Sequence, residues 1–306
     1  MGIFYIEHEY WFAVFQLVLA MLGMGATLTP KDFREVLLEP KAVTSGSLIQ
    51  LLVVPLVAYA FIWVFGIAGG VAVGIALIAA IPGGTTSNIF THFARGNVPL
   101  SITITALTTL ACLVTTPLIL GALIAQYMPA DFVMPRVQIM KEIALTLLLP
   151  LALGMAFLRY IGQSAAAFSK WCVRGSLFGI VMIVVGSSAS GRLNIEAFGT
   201  SNVLLMVLLV VMLALVSWLV CKGLGLSSTD TTAINMEVVV RNVNLGVMLK
   251  ASLFPAVMGK VDPLGDMVLF SLLLYGGLQM LFSVGLINWR RPEGLRVKRL
   301  FVRLLP

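Results

Sequence analysis

Two residues of opposite charge, Glu237 and Arg241, lie four positions apart inside a long apolar stretch of this 306-residue chain. Ionised side chains in such surroundings are rare and costly, and they mark ion or substrate pathways. A glutamate four residues before an arginine also makes a favourable helical pair, so a structural ion pair is the plainer alternative. The pair is followed by Asn242, Asn244 and Gly246. A second irregularity is the run Ile81-Pro-Gly-Gly-Thr-Thr-Ser-Asn88, again within an apolar stretch. Pro82 has no N–H, and Gly83 and Gly84 permit unusual dihedrals, while Ser87 and Asn88 can cap a restarted helix. A proline kink alone would be unremarkable in a membrane helix. Pro-Gly-Gly followed by four hydroxyl or amide residues points instead to a functional break. Freed carbonyls at such a break attract a cation, and the N–H groups of the next half-helix attract an anion. Ser101, Thr105 and Thr108 follow at helical spacing on one face and could add hard oxygen ligands, or could simply bond to neighbouring helices. Gln50, midway along another apolar stretch, offers a further oxygen with the same two readings.

The elements that position these groups are set by composition. The chain is 59% hydrophobic and 11% charged, against roughly 25% charged in soluble domains. It reads as an all-α polytopic membrane protein. Stretches near the 20 or so residues a spanning helix needs predict nine spans, at 10–27, 42–67, 71–93, 100–127, 137–158, 171–190, 202–221, 231–254 and 267–287. No cleavable signal is expected before the first. The segment 29–40, opened and closed by proline, predicts a short surface helix. The breaks fall in the third and eighth spans. Pairing spans one to four with six to nine gives an inverted five-helix repeat whose first half lacks its first helix. Matched interruptions of this kind point to a secondary-transporter binding site.

Apart from Arg241, the 20 Lys and Arg residues concentrate on alternate, inner segments and in the tail 288–306. The exceptions are Arg136, Lys141, Arg192, Lys250 and Lys260. The positive-inside rule then predicts the amino terminus outside and the tail in the cytoplasm, with Glu237 and Arg241 the only ionised residues deep in the bilayer. The net charge of +7 is read as facing anionic lipid rather than nucleic acid. Three cysteines and two histidines show no metal spacing. An intramembrane enzyme would need a second carboxylate or a base beside Glu237, so enzyme activity is not expected.

The run Pro82 to Asn88, then Ala94-Arg-Gly-Asn97 with Leu100-Ser101, then Glu237 followed by Asn242, resembles the bile acid:sodium symporter family over nearly the whole chain. The resemblance implies a core domain (42–127 and 202–287) with two discontinuous crossing helices, and a panel domain (10–27 and 137–190). It implies sodium as coupling ion, with no organic cofactor. It places a first sodium site on Ser87, Asn88, Ser101, Thr105 and Glu237. A second would use Gln50, Glu237, carbonyls near Val238 and Val240, and a glutamine position that is Arg241 here. Arginine offers only donors and a fixed positive charge, so the guanidinium is expected to replace or spoil that second site. The implied cargo is an organic anion, a small carboxylate such as pantoate or a keto acid, or a bile-acid-like compound. Thr85, Thr86, Arg241 and Asn242 are the expected substrate residues, and transport is expected to run by alternating access. A sodium-independent or proton-coupled carrier of the same fold is the alternative, because of Arg241. The expected setting is a bacterial inner membrane, with a lone protomer favoured.

Overall fold

The computed structural model describes residues 2–29, 40–128, 132–257 and 262–290. The surface helix expected at 29–40 lies, but for its two end residues, outside the described residues, as does the basic tail beyond residue 290. The described chain is helical, with no strand beyond one isolated bridge. We number the helices α1 (Gly2–Gly25), α2 (Pro40–Val64), α3 (Gly69–Ala80), α4 (Thr85–Phe93), α5 (Val98–Leu123), α6 (Arg136–Tyr160), α7 (Gly162–Ala189), α8 (Thr200–Gly223), α9 (Ser228–Val239), α10 (Val243–Leu253) and α11 (Pro263–Arg290).

Six of these, α2, α5, α6, α7, α8 and α11, are long and apolar enough to cross a bilayer. Their outward faces fit that solvent. Leu204 and Leu215 on α8 are more than half exposed, and Trp63 and Trp289 stand exposed at helix ends, where aromatic rings favour the membrane boundary. The helix expected at 10–27 starts eight residues earlier, at Gly2. Its first turns carry Glu7, His8 and Glu9, which the hydropathy pattern excluded, yet Glu9 is buried.

Both expected interruptions are present as breaks between short helices. α3 has 12 residues and α4 has 9; α9 has 12 and α10 has 11. At 1.5 Å per residue each spans at most ~18 Å, well short of the ~30 Å hydrocarbon layer. They work in pairs. Two further irregularities are π-helical turns, Ile49–Val53 within α2 and Ala144–Leu148 within α6. Each ends two residues before a proline, Pro55 or Pro150. The ring lacks an N–H and crowds the carbonyl four residues back, so the preceding turn widens. In α2 that widened turn carries Gln50.

α1 packs against α6 and α7, and on its other side against α10. α3 packs against α11 and α5, and α9 against α8, α4 and α5. The α1–α6 contact is backbone on backbone: a Cβ at Gly25 would overlap the Leu151 carbonyl, and one at Gly154 the Leu22 carbonyl. Small residues that let helices approach are the usual packing device where lipid removes the hydrophobic drive. Gly154→Val should therefore lower the thermal unfolding midpoint of the purified protein, at a cost of about 1–3 kcal/mol from overpacking, while Gly162→Ala, in open space, should not.

Candidate functional site

The two breaks meet. Gly83 and Arg241 form an antiparallel bridge, with the Gly84 N–H donating to the Val240 carbonyl at 2.8 Å and the Asn242 N–H to the Pro82 carbonyl at 2.9 Å. Both following helices start from this bridge. Gly84 precedes α4, and the Asn242 side chain caps α10 through the Leu245 N–H.

Breaking a helix leaves carbonyls without their usual donors, and in a dry interior each must find another. At the end of α3 nearly all of them find one residue. Pro82 has no N–H for the Ile78 carbonyl, which accepts instead from Arg241 Nε at 3.2 Å. The Gly83 N–H turns away to Gln50 Oε1 at 3.1 Å, and the Ala79 carbonyl takes Arg241 Nη2 at 3.0 Å. The Ile81 carbonyl accepts from the same Nη2. The Ala80 carbonyl takes the Thr116 hydroxyl at 2.7 Å. Arg241 is thus a cation placed at a helix C-terminus, where the dipole favours it. Its Nη1 reaches Gln50 Oε1 at 3.2 Å. The helical ion pair with Glu237 does not form: no Glu237–Arg241 contact is among the salt bridges of the described residues. Gln50 stands between them, accepting from Arg241 and donating to Glu237 Oε2 at 3.3 Å.

At the end of α9 the accounting differs. The Arg241 N–H is taken by Gln279 Oε1 at 2.9 Å, and the Asn242 N–H by Pro82. These are the donors that a continuous helix would have given to the carbonyls of Glu237 and Val238. The Val240 carbonyl, expected near a second cation, is committed to Gly84, and the Val239 carbonyl accepts from Tyr275.

Glu237 is fully buried and sits among hydroxyls. Ser87 Oγ contacts its Oε1, Ser101 Oγ lies 2.6 Å from Oε1, and Thr105 Oγ1 lies 2.8 Å from Oε2. Asn88 Oδ1 is 2.8 Å from Ser101 Oγ and 3.3 Å from Thr105 Oγ1. All five residues expected at the first sodium site are thereby in one cluster drawn from α4, α5 and α9. The three hydroxyls carry one proton each, yet around them stand both carboxylate oxygens, Asn88 Oδ1 and the carbonyls of Gly84 and Ser101. Acceptors exceed donors, as suits a hard cation bound by oxygen. Gly83 closes this ring, since a Cβ there would overlap Glu237 Oε2. Thr108 does not join: its hydroxyl bonds back to the Ile104 carbonyl at 2.8 Å. Thr91, missed by the sequence reading, does, at 3.2 Å from Ser101 Oγ. It lies one helical turn beyond Ser87, which was the available signal.

A cavity of about 770 Å³ lies on the other side of the crossing, between α1 and α7 on one wall and α4, α10 and α11 on the other. Thr85, Thr86, Asn242 and Arg241 all line it, at the starts of α4 and α10. Gln16 of α1 and Gln279 of α11 also line it and were not anticipated. The helix N-termini give this apex anion-attracting character, and the remaining wall is largely Leu, Ile, Val and Met.

Comparison with known proteins adds an independent observation. The model of the sodium bile acid symporter family matches residues 14–198. The chain belongs to this family. It is 34% identical over 239 residues to "Probable sodium/metabolite cotransporter BASS1, chloroplastic" of Arabidopsis thaliana, covering 78% of this chain and 58% of that one. It is 30% identical over 243 residues to "Uncharacterized sodium-dependent transporter YocS" of Bacillus subtilis, covering 78% and 73%. Over 182 residues it is 28% identical to the ileal sodium/bile acid cotransporter of Oryctolagus cuniculus, covering 60% and 52%. The chain therefore spans between about half and three quarters of the length of these relatives. They are named as transporters, not enzymes. With the apolar helices above, membership makes this symporter-family chain an integral membrane protein.

The carbonyl accounting yields a test. Thr116→Val is nearly isosteric but leaves the buried Ala80 carbonyl without a donor. It should cost about 1–3 kcal/mol of stability, read as a lowered unfolding midpoint. Thr115→Val on the same helix, whose partly buried hydroxyl bonds back to the Ala111 carbonyl, should change it much less.

Proposed function

We propose that the protein is a secondary active transporter that moves a small organic anion with sodium by alternating access. The observation that carries this reading is the crossing itself, which sets an acceptor-rich oxygen cluster on one side and paired helix N-termini in a cavity on the other. Sodium binds within the ring of Ser87, Asn88, Ser101, Thr105 and Glu237. The anion docks at the starts of α4 and α10, with Thr85, Thr86 and Asn242 as its contacts. The cargo is a carboxylate small enough for the cavity or an amphipathic, bile-acid-like anion that uses the apolar wall.

Arg241 takes the place of a second bound cation. Four of its five N–H donors are committed to the α3 carbonyls and Gln50, which favours the cation-surrogate role over direct substrate contact. Gln50, Val238 and Val240 belong to that degenerate site. A second sodium ion beside the guanidinium is strongly disfavoured, because like charges a few Å apart repel at low dielectric. With one mobile cation per monovalent anion, the cycle moves no net charge.

The architecture behind this is nine spans, counting α1 and the pairs α3–α4 and α9–α10 as one each, in an inverted repeat. α1, α6 and α7 form a panel, and the remaining helices with both breaks form the core. The amino terminus lies outside. The cavity then runs toward the cytoplasm, because its lining continues to Thr27, Phe93 and Val98 at the inner helix ends. The family's sodium-coupled members and the pocket chemistry support a cell-membrane solute carrier, with a lone protomer sufficient for the site.

Proteoliposome uptake decides this, with the anion first chosen by a thermal-shift screen in sodium and in potassium. A bound ligand raises the midpoint according to its concentration relative to Kd, so a carboxylate hit should be strengthened by sodium. Uptake of a monovalent hit should depend hyperbolically on sodium and be indifferent to membrane potential. Glu237→Gln should abolish the sodium response. Arg241→Gln should make the sodium dependence sigmoidal and the uptake potential-sensitive. Sigmoidal sodium dependence already in the wild type would overturn the cation-surrogate role, and sodium-indifferent binding and uptake would overturn the coupling.

A further inference from the structure

Away from the crossing, the described residues hold one more cluster of buried charge. Lys250 Nζ lies 2.9 and 3.1 Å from the two carboxylate oxygens of Glu9, and Arg192 Nη1 lies 2.8 Å from Glu9 Oε1. Arg192 Nε also pairs with Asp266. Lys250 is 0% exposed and Glu9 3%. Neither the sodium ring nor the anion pocket uses these residues. The sequence placed Arg192 and Lys250 on outer segments, and their ion partners are what make their burial tolerable.

The placement is informative. Glu9 lies on α1 and Arg192 just after α7, while Lys250 lies on α10 and Asp266 at the start of α11. The cross-pairs Glu9–Lys250 and Arg192–Asp266 therefore tie the α1–α7 body to the α10–α11 body. The tie is at one end only. Along α1 the cavity lining begins at Gln16 and continues through Ala20, Gly23 and Met24 to Thr27 and Leu28. At Gln16 the side-chain Nε2 donates to the Asn244 carbonyl at 3.1 Å. Before it, on the same stripe, come Ala13 and Glu9, both buried. Glu9 is thus two turns, about 10 Å, beyond the cavity's closed end. On α10 the matching stripe runs from Asn244 and Val247 in the cavity wall to Lys250.

We infer that Glu9, Arg192, Lys250 and Asp266 form a latch that holds the cavity shut on the face opposite its mouth, and that must break for that face to open. Each body carries one acid and one base. When the bodies part, Glu9 keeps Arg192, while Lys250 and Asp266, which are not paired with each other here, are released on one body as an acid and a base that can pair there, so each body stays neutral. That distinguishes the latch from a static buried pair, for which separation would leave isolated ions at a prohibitive cost. Such a cluster sets the balance between two states by its differential stability in them.

The inference rests on the alternating-access reading, but its test needs neither sodium nor substrate, so the two can fail separately. A reporter cysteine, Ala13→Cys, is placed in full-length protein in lipid nanodiscs, where both faces meet a membrane-impermeant thiol reagent. Ala13 is 0% exposed behind the latch, and the native Cys112, Cys172 and Cys221 are buried and supply the background. With the latch intact, labelling at position 13 should be slow. Lys250→Met, which leaves Glu9 paired with Arg192, should raise the rate by tenfold or more. Asp266→Asn, at a partly exposed position, should raise it less and serves where Lys250→Met does not fold. Folding is checked by size-exclusion profile. Unchanged labelling in either folded variant overturns the latch, as does rapid labelling with all four charges in place.

Discussion

The structure depends on how two interrupted helices satisfy their backbone where water is scarce. A helix broken mid-bilayer exposes carbonyls at one end and N–H groups at the other, each costly if unpaired. Here the two breaks pair with each other through Gly84–Val240 and Asn242–Pro82. What the pairing leaves over falls to side chains: Arg241 and Thr116 for α3, Tyr275 for the Val239 carbonyl, Gln279 for the Arg241 N–H. Such a crossing is held by the pairs just named, with the Glu237 and Val238 carbonyls left without their helical donors, and a crossing so braced is what can hold the oxygen cluster in one place.

The same accounting explains why an arginine is tolerated at its centre. Two helix C-termini converge on the crossing, each equivalent to about −0.5 charge, and two N-termini at about +0.5 each. The C-terminal ends together offset one fixed cation. On the proposed reading, Glu237 is left to be matched by a mobile cation, and the N-terminal ends by an anion in the cavity. A glutamine in place of Arg241 would need a second mobile cation to reach the same balance. On the proposed reading, an arginine where the family resemblance implies glutamine preserves the electrostatics of the loaded site while changing how many charges travel through it. Gln50 makes the arrangement workable, since its carbonyl faces the guanidinium and its amide the carboxylate.

Much of this was legible in the chain. Pro82-Gly83-Gly84 announced a break because it removes a donor and a side chain at once; Ser101 and Thr105 were readable from helical spacing, while Ser87 and Asn88, read from residue type as caps, joined the site through the family resemblance. Thr108 shared that spacing yet bonds to its own helix, because periodicity gives a face but not a depth. The role of Arg241 was half legible. Residue type fixed its charge, while the carbonyls it would meet, 160 to 163 positions away at Ile78 to Ile81, depended on the crossing. Glu9 and Lys250 were the clearest loss. Hydropathy started the first span after Glu9 and left Lys250 near the end of the eighth, and it has no means of seeing a partner 241 residues distant.

The ion ring and the latch share no residue, and their separation constrains any coupling between them. Every side chain in the ring comes from α4, α5 or α9, with Gln50 of α2 beside it; none comes from α1 or α7. An ion bound there cannot pull directly on the α1–α7 body. It can favour one arrangement of the two bodies only through what both arrangements feel differently, and α4 and α10 are the elements that do so. α4 carries Ser87 and Asn88 on its ring face and Thr85 and Thr86 on its cavity face. α10 begins at the crossing and ends, after Asn244 and Val247 in the cavity wall, near Lys250 in the latch. In the proposed cycle, an ordered ring fixes the Gly84–Val240 bridge, the bridge fixes the start of α10, and the direction of α10 decides whether Lys250 can reach Glu9. Eleven residues of one short helix thus run from the ion site to the closed face, with the anion pocket along their length.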